Sequence, residues 1–178
     1  MLIPRQSVPA LKVATLDGRG FDISQVDSER GTVVCFYRGL HCPICATYLK
    51  DFEKHVNDFA DRGFDSIAIS SDDAERAAQM ADKVGVDQLR IGYGLELSVA
   101  RQWGLYISTS RGKTSIGIVE PALFSEPGLF LVSADQTLFY GSVQTMPFVR
   151  PHFAEMVGAM DFVIKNDYPA RGEYTGDV

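Results

Sequence analysis

Residues 31–62 read GTVVCFYRGLHCPICATYLKDFEKHVNDFADR, and this stretch decides the fold. Gly31 to Tyr37 is an unbroken β-branched and aromatic run, which suits a strand buried on both faces. From Pro43 onward, apolar side chains recur at Ile44, Tyr48, Leu49, Phe52, Val56 and Phe59, the spacing of an amphipathic helix. Pro43 fits the first helical position and Gly63 the stop. Between strand and helix lies Cys42-Pro43-Ile44-Cys45. With Pro43 first in the helix, Cys42 is the N-cap and Cys45 the third helical residue, two positions whose side chains can meet. A helix start is electropositive, because its first N–H groups lack internal partners and the peptide dipoles add there. A thiol held at that point ionises more readily, and the thiolate is the reactive form. The spacing therefore predicts a redox-active thiol pair, with Cys42 the more exposed sulfur and Cys45 the more sheltered.

Arg38 and His41 precede the pair by a few residues. A nearby cation lowers a thiol pKa further, and the donor fork of Arg38 suits the oxygens of a peroxide or a carboxylate. Two other readings of the pair stay open. It can be two inert thiols packed as small hydrophobes, or part of a zinc site, although one pair plus His41 supplies three ligands at most. Cys35 lies within the apolar strand pattern and reads as core. His55 falls on the polar face of the helix, His152 at a later helix start as a cap or surface residue, and Trp103 and Tyr106 as core or rim aromatics. No cofactor is expected.

Outward from this unit the pattern continues. Val13 to Ile23 has hairpin character with glycines in the turn, and Phe64 to Ser70 reads as a second strand. Asp72 followed by Glu75 resembles a capping box, opening a helix that ends at Gly85. A short strand near Leu89–Ile91 and a helix over Leu95 to Trp103 follow, then a long polar connection over 108–126, of the kind that is often functional. Gly128 to Ser133 and Thr137 to Val143 form the clearest hairpin, and His152 to about Asp167 the last helix. Pro127 precedes that hairpin, and X-Pro bonds are where cis peptides occur, so a cis-proline loop beside the dithiol is expected, with an ordinary trans proline at the strand start as the other reading. The alternation of strands and helices indicates one α/β domain over 1–178, a central mixed β-sheet flanked by helices, with a loose polar tail from about 169.

The chain has 178 residues, 46% apolar and 22% charged, with a net charge of −6. That is enough for one real core. The charge excludes the basic footprint of a nucleic-acid binder. No run of about 18 uncharged apolar residues exists to span a membrane. Met1 to Gln6 carries no charged-then-apolar leader, so a cytoplasmic location is expected. In a reducing compartment, a close Cys pair is more often catalytic or metal-binding than structural.

Phe36-Tyr37 after an apolar strand, a Cys in the helix start, the Gly128-to-Val143 hairpin and a closing helix together resemble the peroxiredoxin-like group of the alkyl hydroperoxide reductase/thiol-specific antioxidant superfamily, over about residues 10 to 168. The resemblance implies a thioredoxin-like fold. It also implies a thiol-dependent peroxidase acting on hydrogen peroxide or alkyl hydroperoxides, restored by a thioredoxin-like or low-molecular-weight thiol, with a homodimer compatible with the fold. The family pattern Pro-x-x-x-Thr-x-x-Cys places its Cys on Cys45, its Thr on Cys42 and its Pro on Arg38. Two of the three signature positions therefore carry other side chains, and a Cys-x-x-Cys of thioredoxin-like oxidoreductases stands in their place. Cys45 is the attacking thiol by family position and Cys42 by exposure. Pro127 stands where the fold's cis-proline is expected. A disulfide oxidoreductase acting on protein or small-molecule disulfides is the alternative activity, and a redox-silent interaction module a third reading.

Overall fold

The computed structural model describes residues 2–178; Met1, part of the leader reading, lies outside them. Among the described residues, nine strands and four α-helices follow one another: β1 Lys12–Thr15, β2 Phe21–Asp22, β3 Gly31–Phe36, α1 Pro43–Ala60, β4 Phe64–Ile69, α2 Ala74–Val84, β5 Arg90–Tyr93, α3 Leu97–Gln102, β6 Ile107–Thr109, β7 Leu123–Ser125, β8 Gly128–Ser133, β9 Leu138–Val143 and α4 Phe153–Asn166. Seven strands form one mixed sheet in the order β2-β1-β5-β4-β3-β8-β9. β3, β4 and β5 run parallel, joined by helical crossovers, while β8 and β9 are antiparallel.

β3 is an interior strand, paired with β4 on one side and β8 on the other, and all six of its residues are buried. Its alternation sorts two cores. Val33 and Cys35 face a cluster with Leu49, Phe52 and Phe59 of α1, Met80 of α2, and Phe153 and Met160 of α4. Val34 and Phe36 face a second cluster with Leu11, Ala100, Trp103 and Phe130. A strand buried on both faces is what the apolar run at 31–37 predicts.

The expected elements are present with shifted ends. α2 is capped by Asp73, whose carboxylate accepts from the Arg76 N–H, rather than by Asp72; Asp72 is turned inward toward the loop after β3. The connection over 108–126 is not without structure, because β6 and β7 pair across it as an antiparallel hairpin. Pro127 corrects another expectation. Among the described residues every peptide bond is trans, including Glu126–Pro127. Its carbonyl accepts the Gln144 N–H at 3.0 Å, which ties the start of β8 to the segment after β9. That contact fixes Pro127 as a strand-entry proline. No described helix is long and apolar enough to cross a membrane.

Candidate active site

The dithiol sits where β3 hands over to α1. Pro43 occupies the first turn of α1 and Cys42 is its N-cap, with extended backbone at φ −101° and ψ 104°. The Cys42 sulfur accepts the Cys45 backbone N–H at 3.4 Å. Sulfur thus plays the part a serine or aspartate oxygen plays in an ordinary N-cap. Both thiols are reduced and both are buried, Cys42 at 1% exposure and Cys45 at 0%. The expected difference in exposure between Cys42 and Cys45 is thus almost absent, because both side chains belong to the buried cluster that holds Tyr37, Leu40 and Leu49.

Charge distribution separates the two sulfurs. The Cys42 pKa is lowered to about 6, chiefly because the Cys45 thiol donates to it; burial opposes, and the Cys45 N–H, Arg150 and Arg38 assist. Burial pushes the Cys45 thiol up, and the neighbouring Cys42 charge pushes it further. One negative charge is shared by the pair, and it rests on Cys42 with the Cys45 proton as its clamp. Cys35, on the adjoining strand, is pushed up to about 12 by burial and stays a neutral core thiol.

Arg150 is the cation that sequence reading missed. Its Nη2 donates to the Cys45 sulfur at 3.1 Å across 105 residues of chain. Its Nε donates to the Pro147 carbonyl at 3.0 Å, and its guanidinium carbon lies 4.9 Å from the Tyr48 ring centre. The Tyr48 hydroxyl, one turn beyond Cys45 on α1, donates to the Pro151 carbonyl at 2.7 Å. Helix α1 thereby supplies the sulfurs and also anchors the corner that carries the cation. The Arg150 Nη1 is buried without a partner, an unused donor beside the sulfurs.

Arg38 is engaged elsewhere. It pairs with Glu120 and Glu126 at 3.4 Å each, the first aligned as a hydrogen bond and the second not. Its guanidinium lies 4.7 Å from the centre of the Phe124 ring. His41 is fully buried, with its ring centre 4.6 Å from that of Phe124. Burial first, and Arg38 second, pull its pKa down to about 4, so at neutral pH it is not the cation that sequence reading expected beside the thiols. The β6–β7 hairpin therefore lies over Arg38 and His41, while the segment ending at Arg150 and Pro151 lies over Cys45.

The backbone between β3 and α1 is held by Asp72. Its fully buried carboxylate accepts the Leu40 N–H at 2.7 Å and the Arg76 Nε–H at 3.0 Å. Gly39 adopts φ +132°, and a Cβ there would lie 2.7 Å from the Asp72 carboxylate. Gly39→Ala combines a left-handed backbone with that collision, and we expect it to lower stability by about 1–3 kcal/mol and to release the Leu40 amide. Chemical denaturation, together with the hydrogen-exchange rate of the Leu40 amide, checks both parts. Sequence spacing could not locate Asp72, Tyr48, Phe124 or Arg150, because their contacts are made by the fold.

A buried dithiol on the N-cap of a helix, following an interior strand of a thioredoxin-like α/β sheet, defines the class. The family model described as the AhpC/TSA family matches residues 4–140. The chain belongs to that family. Among solved structures, it is similar to peroxidoxin BcpB from Mycobacterium tuberculosis (20% identity, TM-score 0.70, covering 92% of this chain and 99% of that one). It is also similar to Enterococcus faecalis AhpC (14% identity, TM-score 0.72, 96% and 99%) and to a peroxiredoxin-like protein from Aquifex aeolicus (14% identity, TM-score 0.70, 92% and 88%). The search of curated proteins finds no match.

Proposed function

We propose that the chain is a thiol-dependent peroxidase that cycles Cys42 and Cys45 between dithiol and disulfide. The observation that carries this reading is the asymmetric pair: a Cys42 sulfur capping α1 with its pKa lowered to about 6, beside a Cys45 thiol that keeps its proton. Family membership and the fold shared with peroxiredoxin structures support it. The Cys42 thiolate attacks the terminal oxygen of a hydroperoxide, the O–O bond breaks, and Cys42 becomes a sulfenic acid while the alkoxide leaves and takes a proton from water. Cys45 then displaces water to close the disulfide. A thioredoxin-like or low-molecular-weight thiol attacks one sulfur and restores the dithiol. Arg38, held by Glu120 and Glu126, shapes the loop rather than gripping the oxidant. Pro43 fixes the first turn of α1, and Pro127 leads into β8.

A second reading has an observation of its own. An ionised first thiol and a proton-bearing buried second thiol also suit a disulfide oxidoreductase, in which Cys42 attacks a disulfide and Cys45 resolves the mixed species. The trans Pro127 removes the cis-proline loop expected to dock the partner's backbone in such a reaction.

Mass measurement of the reduced protein after treatment with hydrogen peroxide or tert-butyl hydroperoxide tests the proposal. The expected product is the loss of two hydrogens, assigned to a Cys42–Cys45 peptide, at a rate that follows thiolate content. Insulin reduction without peroxide turnover would replace it with the second reading. The pH dependence has a definite sign. The folded pKa of Cys42 is about 6, below the ordinary thiol value near ~8.5. Ultraviolet thiolate absorbance should therefore rise through a midpoint near 6. Folding stability of the reduced protein should grow between about 6 and ~8.5, because only the unfolded chain still binds that proton there. A midpoint near ~8.5 for both cysteines would support the redox-silent reading.

A further inference from the structure

The imidazole of His41 is completely shut from solvent, yet neither ring nitrogen has a hydrogen-bond partner. An unpaired buried polar atom forfeits its hydration without compensation, and native folds carry few. The ring packs on Phe124, with Arg38, Glu120 and Arg76 as the charged groups that bear on it. A phenyl ring at this position would keep that packing without the penalty. The polarity of His41 thus detracts from the fold, and the residue stands next to Cys42 in the chain.

We propose that His41 is a catalytic hydrogen-bond donor, whose neutral imidazole N–H serves the oxygen that leaves when the Cys42 sulfur cleaves a hydroperoxide. This rests on the peroxidase reading. The sulfur lone pair forms the S–O bond to the hydroxyl-bearing oxygen, and the O–O bond breaks. The leaving alkoxide accepts a hydrogen bond from the imidazole N–H and takes its proton from water. In balance, thiolate, hydroperoxide and water give sulfenic acid, alcohol and hydroxide. A neutral ring suits this role better than a charged one. An imidazolium beside a thiolate would surrender its proton to the sulfur before the oxidant arrived, whereas a neutral N–H leaves the nucleophile ionised and still stabilises a developing oxyanion. Burial and Arg38 hold the ring in that form.

The test is His41→Phe, read in two ways. Stability should hold or increase, because two unpaired nitrogens are removed and the packing on Phe124 is retained. The rate of sulfenic acid formation with tert-butyl hydroperoxide should fall by roughly 10²-fold, the usual cost of an oxyanion donor. The rate with peroxynitrous acid should change little, since departing nitrite needs no proton. His41→Gln restores an N–H and should recover part of the tert-butyl hydroperoxide rate. Equal losses with both oxidants, no loss with either, or a phenylalanine variant that unfolds or melts earlier would overturn the proposal and leave His41 structural. If the unmodified protein reacts with neither oxidant, the peroxidase reading itself fails.

Discussion

Cys42→Ser will lose at least about 10³-fold of the peroxide-consuming rate, the scale seen when a catalytic nucleophile is removed. Cys45→Ser will still consume one equivalent of peroxide and stop at a sulfenic acid that dimedone traps. The asymmetry follows from where the negative charge rests. Cys42 ends its side chain on the open first turn of α1, where the Cys45 N–H and the Cys45 thiol both donate to it. Serine at position 42 can still cap the helix, so the variant should fold, and the loss is chemical. Cys45→Ala takes away the largest stabiliser of the Cys42 thiolate, so the pKa of Cys42 in that variant should rise from about 6, and its single turnover should be slower at neutral pH. Stopped-flow peroxide consumption with mass detection of the trapped adduct measures all three outcomes. The opposite pattern, sulfenate on Cys45 in Cys42→Ser and none on Cys42 in Cys45→Ser, would transfer the attack to the family's cysteine position. The Arg150 guanidinium at 3.1 Å from the Cys45 sulfur would then be its activating cation.

What sequence reading could reach depended on distance along the chain. The Cys42 cap, Pro43 at the first helical position and the buried β3 were legible, because each is written within a few residues and governed by local backbone chemistry. The capping of α2 was misplaced by one residue for a physical reason. Asp72 and Asp73 are equally good caps in isolation, and only the fold shows that Asp72 is taken by the Leu40 amide. His41 was read as a cation because proximity to a thiol was visible and burial was not; the Phe124 ring that covers it arrives from 83 residues downstream on β7. The near-equal burial of the two sulfurs is hidden from the sequence for the same reason. Arg150 had no local signal at all. It stands among Met146, Phe148 and Val149, which are exposed, and only the anchoring of Pro151 by Tyr48 turns its guanidinium to the sulfurs.

That anchoring leads to the second large effect, in which a core residue controls thiol chemistry. Phe153 opens α4, is fully buried, and lies flat on Phe52 with ring centres 4.4 Å apart and planes 3° from parallel. It also packs at 4.5 Å on Tyr48 and edge-on at 6.3 Å against Phe59. Phe153→Ala should cost about 3–5 kcal/mol, because an aromatic side chain is removed from a site that α1, α4 and the sheet cannot close. The cavity opens three residues from Arg150 and directly beside the Tyr48 ring. Tyr48 then loses the wall that fixes its rotamer, the Pro151 tether loosens, and the guanidinium drifts from the Cys45 sulfur. With that cation less well held, the thiolate absorbance midpoint of Cys42 should move up from about 6. Phe59→Ala provides the control. Phe59 is equally buried and belongs to the same aromatic cluster, but it sits at the far end of α1, remote from the Arg150 corner. It should lower stability by a similar amount and leave the midpoint in place. Urea unfolding of both variants, paired with ultraviolet titration of their reduced forms, separates the two effects. Equal midpoint shifts in both would mean that general loosening of the core perturbs the thiols. A shift confined to Phe153→Ala would establish that stacking on α1 is what keeps the cation beside the dithiol.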